Sequence, residues 1–306
     1  MCPIVPNVVQ KKDELRMKKM KTWYISLIVV WLITLMLQSC DKISSPYAVV
    51  KNSNIKDTVM SWDTVVAVRR VLLEDYTGHK CVNCPEATIA GKALEAQYGG
   101  KLIMIEVHAG YYALPGTGDY TLDLRTQAAE DWNNEFGITN NPSGLVNRKI
   151  FGTQRILTFD VWGASISQII STAPDAEMIM TCTYDTSTRI VKPVVYTRFI
   201  NQLQGTYKII LCVLENGIIG AQKNNNPSVG PTPDWFNYTF DDVVRGSVNG
   251  SWGETLTTSV NTSTTYLGRF SFALNTAWKY KNCYILAIVY NDKTKEIVQV
   301  IKRKII

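Results

Sequence analysis

Histidine is nearly missing from this sequence, and His79 and His108 are its only two imidazoles. The C-x-x-C motif occurs once, at Cys81 and Cys84, with no second copy to complete a four-ligand zinc site, so no metal is expected. The C-terminal half has no phosphate-binding glycine loop, no paired carboxylates and no Ser/His/Asp constellation, and no cofactor is expected. The longest apolar run, Thr22 to Met36, falls short of the roughly 20 residues that a membrane-spanning helix needs. Basic surplus is also scarce in the main body. Lys11, Lys12, Arg16, Lys18, Lys19 and Lys21, set against Asp13 and Glu14, supply four of the six net positive charges. The remainder is close to neutral, which removes the electrostatic reason to expect a nucleic-acid partner.

What is present begins with an export signal. Met17 to Lys21 is basic, Thr22 to Met36 is apolar, and Leu37 to Cys40 follows. This order is that of a secretory signal peptide, and Leu37-Gln38-Ser39-Cys40 resembles a bacterial lipobox. That resemblance implies that Cys40 is lipidated and is the first mature residue. Residues 1–39 are then the signal, with Met17 as the expected true start, and residues 40–64 a lipid-anchored flexible tether. The tether has few apolar residues and no periodicity.

The stretch from Val71 to Pro85 carries the readable chemistry. Val71 to Tyr76 predicts a short buried strand, and Thr77 and Gly78 end it. Cys81 and Cys84 follow, and Pro85 opens a helix over Glu86 to Tyr98, where its missing N–H costs nothing. A dithiol at a strand-to-helix turn feels the positive end of the helix dipole. Lys80 adds charge beside it, and both favour the ionised form of Cys81. A purely structural disulfide is the competing reading of the same spacing. Lys101 to Val107 predicts a second strand, parallel to the first through a right-handed crossover. His108 then shares an edge with the dithiol, whereas His79 reads as an exposed loop residue. Gly110 to Asp123 reads as an insertion or lid, Leu124 to Phe136 as an amphipathic helix, Ile138 to Arg148 as a turn into a strand, and Phe159 to Ile170 as a final helix.

This order, with Gly137-Ile138 and Pro142 before the third strand, resembles the thioredoxin fold. The resemblance implies that Cys81 attacks, that Cys84 resolves the mixed disulfide, and that Asp75 is the buried acid serving the resolving thiol. It also implies that Pro142 is a cis-proline packed against the dithiol. The departures are Lys80 where that family has Trp, and Val82-Asn83 between the cysteines. A narrower resemblance rests on Glu74 to Pro85, Val107 to Gly110, Asn141 to Arg148 and Gly250 to Glu254. These pieces are similar to the outer membrane protein 28-related lipoproteins of Bacteroidetes, which pair a thioredoxin-like domain with a β-rich one. The resemblance implies an outer-membrane location.

From residue 174 the pattern becomes β-like: Met178–Tyr184, Lys192–Phe199, Tyr207–Leu214, Tyr266–Leu274, Tyr284–Tyr290 and Glu296–Lys304. The expected fold class is therefore an α/β thioredoxin-like domain over 65–173, followed by an all-β, immunoglobulin-like sandwich over 174–306. Gln222 to Trp235 predicts a long loop. Trp235, Phe236, Tyr238 and Trp252 are either a recognition patch or core aromatics. Cys182, Cys212 and Cys283 read as buried small hydrophobes, with one possible bridge among them. Two functions follow. One is thiol-disulfide exchange with the thiols and disulfides of exported proteins, carried by Cys81, Cys84, Asp75, Pro142 and His108. The other is a surface binding or adhesion lipoprotein in which Cys81–Cys84 is a static staple.

Overall fold

The protein is described from a computed structural model covering Trp62 and residues 65–306. The expected signal, Cys40 and nearly all of the tether lie outside the described residues.

Strand β1 (Val71–Thr77) is buried along its whole length. It lies between parallel β2 (Leu102–His108) and antiparallel β3 (Ser143–Val146). Helix α1 (Cys84–Tyr98) makes the crossover and ends at Gly99, whose φ of 56° is easy only for glycine. Helix α2 runs from Gln127 to Phe136, three residues shorter than the periodicity predicts. Thr126 is the reason: its side chain accepts from the Ala129 N–H and starts the helix there. Helix α3 (Phe159–Ile170) follows β3.

The faces sort by alternation along the strands. Val71, Leu73, Leu102, Met104 and Val146 pack with Ala87 of α1 and with Trp162, Ile166, Ile169 and Ile170 of α3. Leu72, Tyr76, Ile103, Ile105 and Val107 pack on the opposite face with Ala128, Ala129, Trp132 and Phe136 of α2.

The C-terminal strands are β4 (Ala176–Asp185), β5 (Ile190–Phe199), β6 (Tyr207–Glu215), β7 (Ile218–Lys223), β8 (Asp234–Phe240), β9 (Val243–Ser247), β10 (Glu254–Thr257), β11 (Thr265–Arg269), β12 (Phe272–Ala273), β13 (Cys283–Asn291) and β14 (Ile297–Lys304). The run expected as one strand over Tyr266–Leu274 is broken into β11 and β12. The expected long loop over Gln222–Trp235 is instead the end of a hairpin, because β7 and β8 pair and take up both of its ends.

The largest sheet has eight strands in the order β14-β13-β6-β9-β2-β1-β3, with β10 also on β6. It therefore crosses the boundary expected at residue 174. The junction is β9 beside β2, with Val243 opposite Glu106 and the Glu106 N–H donating to the Asp242 carbonyl at 2.9 Å. Without β9, β2 would be an apolar edge strand with an open row of backbone groups, which is an aggregation hazard. The C-terminal half is thus not a separate antiparallel body: five of its strands, β6, β9, β10, β13 and β14, extend the N-terminal sheet. A second sheet carries β11, β5 and β12, with β4 on β5.

β6 and β13 read as continuous apolar runs because both of their faces are covered. Ile210, Cys212, Leu214, Leu286, Ile288 and Tyr290 join the cluster under α2. Ile209, Leu211, Val213, Ile285, Ala287 and Val289 join Ala176, Met178, Met180, Val191, Val195 and Phe199 of β4 and β5. Cys212 and Cys283 are buried, Cys182 is partly exposed, and all three are free thiols.

Candidate functional site

β1 and β2 end together, with Thr77 opposite His108. β3 starts beside the same end, with Ser143 opposite Tyr76, so Pro142 lies at that edge too. The Asn141–Pro142 peptide is cis. Cys81 and Cys84 form a disulfide there, with their Cα atoms 5.4 Å apart. Cys84 is the first residue of α1 and Pro85 sits in its first turn. The helix end lacks a side-chain cap, so its N–H groups face the cysteine loop.

Beneath α1 lies a group of buried polar side chains. Asp75 and Glu106 are register partners on parallel neighbouring strands and point to the same face of the sheet. Thr88, one turn beyond Cys84, donates its hydroxyl to Asp75 Oδ2 at 3.1 Å. Burial, helped by the nearby Glu106 charge, holds the Asp75 carboxyl well above the usual carboxylate range. Burial pushes Glu106 up to about 8, with Asp242 and Asp241 adding to the shift and Lys92 opposing it. His108 Nε2 lies 3.3 Å from Glu106 Oε2, and the imidazole meets the edge of Phe240. Burial, with Arg245 nearby, pushes His108 down to about 3. At neutral pH this pair therefore keeps its proton on the carboxyl side, with the neutral ring as acceptor.

His79, expected in an exposed loop, is 1% exposed. Its carbonyl accepts from the Lys223 N–H, and its ring lies beside Tyr120. Burial pushes its pKa down to about 4, with His108 and Lys80 contributing. Glu74, next to Asp75 in sequence, faces the other way and pairs with Arg148. Of the four candidate patch aromatics, Tyr238 is buried against Phe240, Trp235 is partly buried in the same cluster, and Trp252 packs under α2. Only Phe236 is exposed.

The cysteines themselves are covered: Cys81 is 2% and Cys84 1% exposed. Two segments lie over them. The Lys80 N–H donates to the Tyr112 carbonyl at 3.0 Å. Gly78 lies so close below that a Cβ on it would sit 2.4 Å from the Tyr112 carbonyl carbon. The β7–β8 hairpin supplies the second cover through Gln222, whose Nε2 donates to the Cys81 carbonyl at 2.9 Å. Sequence reasoning missed Glu106, Thr88 and Gln222. A lone acid inside the apolar run Lys101 to Val107 was the available sign for Glu106. Gln222 had none, since its neighbours in the site are more than 130 residues away.

These features define a β-rich α/β protein with a disulfide enclosed at the end of a mixed sheet. The family model for outer membrane protein Omp28 matches residues 129–306, more than half of the chain, and the chain belongs to the Omp28 family of outer membrane proteins. The matched residues begin after the C-x-x-C stretch.

Among solved structures, HBP35 of Porphyromonas gingivalis is similar with a TM-score of 0.56 and 15% identity, covering 78% of this chain and 76% of that one. That likeness is one of fold. A domain of the outer membrane lipoprotein Omp28 from Porphyromonas gingivalis aligns at 22% identity over 43% of this chain and 88% of that one, with a TM-score of 0.29. A protein from Agrobacterium tumefaciens aligns at 11% identity over 79% of this chain and 97% of that one, with a TM-score of 0.49. A search of curated protein sequences gave no match.

Proposed function

We propose that this protein is anchored in the outer membrane through a lipid on Cys40, and that its Cys81–Cys84 pair exchanges disulfides with exported proteins. Residues 65–173 then form a thioredoxin-like unit, and residues 174–306 a β-sandwich fused to it through the shared sheet. One observation carries the reading: a disulfide closes the β1–α1 junction, one helical turn from the Thr88 hydroxyl that binds the buried acid Asp75, with cis Pro142 at the same edge.

The chemistry balances without a cofactor. A client thiolate forms a bond to Cys81 Sγ, and Cys84 Sγ leaves as a thiolate. A second client thiol then attacks the client sulfur of the mixed disulfide, and Cys81 leaves. The client gains a disulfide, the pair becomes a dithiol, and the two client protons end on Cys81 and Cys84. A Cys81 thiolate is stabilised by the α1 N-terminus, and Asp75, whose carboxyl burial holds well above the usual carboxylate range, lies against Thr88 near the first turn of α1.

A second reading rests on the burial of both sulfurs. In it, the disulfide is a staple and the protein is a surface binding or adhesion lipoprotein. The reduction potential of the pair, together with trapping on Cys81 in a Cys84→Ser variant, separates the two. Exchange is expected to show a potential above about −300 mV and mixed disulfides with exported proteins. A potential below about −300 mV is typical of resistant structural bridges, and with nothing trapped it would leave the staple.

The anchor has its own test. Cys40→Ala is expected to move the protein from the membrane fraction to the soluble fraction, and unchanged membrane retention would refute lipidation.

A further inference from the structure

The cover over the disulfide has the geometry of a bound peptide. From Lys223 to Asn225, alternate N–H groups point to the cysteine loop. Lys223 N donates to the His79 carbonyl at 2.8 Å, and Asn225 N donates to the Val82 carbonyl at 3.1 Å. Donors from residues two apart are the signature of an extended strand adding its edge to a receptor. The two acceptors flank Cys81. Gln222 Nε2 fills the space between them, donating to the carbonyl of Cys81 at 2.9 Å and of Gly78 at 3.4 Å. Next along the chain, Asn226 Nδ2 donates to Glu86 Oε2 on α1 at 3.2 Å.

The far side of the hairpin is clasped as well. Asp234 accepts from both Tyr120 and Lys223, and Lys223 lies over the Tyr120 ring. Tyr120 belongs to the Gly110–Asp123 segment, whose Tyr112 carbonyl holds Lys80. The two covers are therefore tied together through Tyr120, which meets both members of the hairpin's Lys223–Asp234 ion pair. Val82, Tyr111 and Leu114 stand exposed on the loops around them.

We propose that the surface around Cys81 is a binding site for an extended polypeptide segment, and that Gln222–Asn226 of the chain itself occupies it as an internal stand-in. The partner is an unfolded, cysteine-bearing segment of an exported protein, entering as a strand and displacing the hairpin. The contacts around Cys81 favour a polypeptide over a small thiol. The cysteine loop offers the backbone carbonyls of His79, Cys81 and Val82 to donors from an extended segment, the rim carries the exposed side chains of Val82, Tyr111 and Leu114, and the hairpin contacts on the loop are made by amide donors. Displacement exchanges one set of backbone hydrogen bonds for an equivalent set, so its net hydrogen-bond cost is small. The tethered hairpin competes at a high effective concentration, which limits reaction with passing thiols. This inference rests on the exchange reading, because it names the client of that site.

The test uses the full-length protein in detergent, with the disulfide intact. Two reactions are timed by alkylation and mass spectrometry of the Cys81–Cys84 peptide. One is reduction by dithiothreitol, and the other is reaction with reduced, unfolded ribonuclease A. The variants are Gln222→Ala, which removes the amide over Cys81, and Asp234→Ala, which opens the clasp without touching the cysteine loop. Each variant is expected to speed reduction by dithiothreitol at least ten-fold. In the wild type, unfolded ribonuclease is expected to react faster than an equal concentration of small thiol.

If dithiothreitol reduces wild type as fast as both variants, the hairpin is not a cover and the proposal falls. If both variants accelerate reduction by dithiothreitol but unfolded ribonuclease leaves the Cys81–Cys84 bond intact in every protein, the cover stands. The polypeptide client is then overturned, and the exchange reading with it.

Discussion

Arg148→Leu is expected to lower the folding stability by about 3–5 kcal/mol, the range for breaking a buried ion pair from one side. The guanidinium is fully buried and grips Glu74 bidentately: Nη2 lies 2.7 Å from Oε1, and Nε lies 2.9 Å from Oε2. Trp132, Phe136, Trp252 and Tyr290 surround it, with ring centroids 5.1–5.9 Å from the guanidinium carbon. Removing the cation leaves a carboxylate in an apolar cage with nothing to neutralise it.

In a protein of this size that loss corresponds to a fall in Tm of about 10 °C. The double variant Glu74→Leu/Arg148→Leu is expected to recover much of the loss, because the stranded charge, and not the missing attraction, causes most of the damage. Urea unfolding of the three proteins measures both effects. A single variant within 1 kcal/mol of wild type would refute the account.

The cage also joins the halves of the chain. Trp132 and Phe136 come from α2, Tyr290 from β13, and Trp252 from the loop before β10, held by its carbonyl to the Tyr290 hydroxyl at 2.8 Å. Three of the stretches that carry the family resemblance, Glu74 to Pro85, Asn141 to Arg148 and Gly250 to Glu254, meet there.

Glu106→Gln is expected to stabilise the protein by an amount that grows with pH. The carboxyl is raised from 4.5 to about 8 in the folded protein. A raised folded pKa means that the folded state holds a proton the unfolded chain has released. The contribution is fully present below pH 4.5 and is lost as pH rises toward about 8. Glutamine cannot ionise, so the variant does not suffer this loss. Its advantage over wild type is near zero at pH 4.5 and reaches roughly 2–4 kcal/mol at pH 8, on the scale of 1.36 kcal/mol per pKa unit.

The histidines act in the opposite direction. His108 at about 3 and His79 at about 4 stay neutral when folded, so they cost stability as pH falls below 6.5. They do so in both proteins, and the difference between wild type and variant reports Glu106 together with the part of the Asp75 shift that its charge causes. Urea midpoints at intervals from pH 4.5 to 8.5 measure it, and a difference independent of pH would sink the assignment.

Local chemistry alone determined several elements of this protein. The apolar run at Val71–Tyr76, the proline after Cys84 and the glycines after Tyr98 place β1 and α1 because strands, helix starts and helix stops are set by neighbouring residues. The alternating and continuous apolar runs likewise marked β4, β5, β6, β13 and β14.

Three things were decided only by tertiary structure. First, which of Glu74 and Asp75 lies on the α1 side of the sheet depended on the face that each presents: Glu74 meets Arg148, and Asp75 meets Thr88. Second, β9 is five residues long and unremarkable in composition, yet it fuses two sheets into one because β2 needed a partner on its open edge. Third, the covering of Cys81 came from Gln222 and its neighbours, polar residues in a stretch that reads as loop. Such contacts carry no local signature, because the hydrogen bonds that order the segment are made to backbone carbonyls more than 130 residues away in the chain.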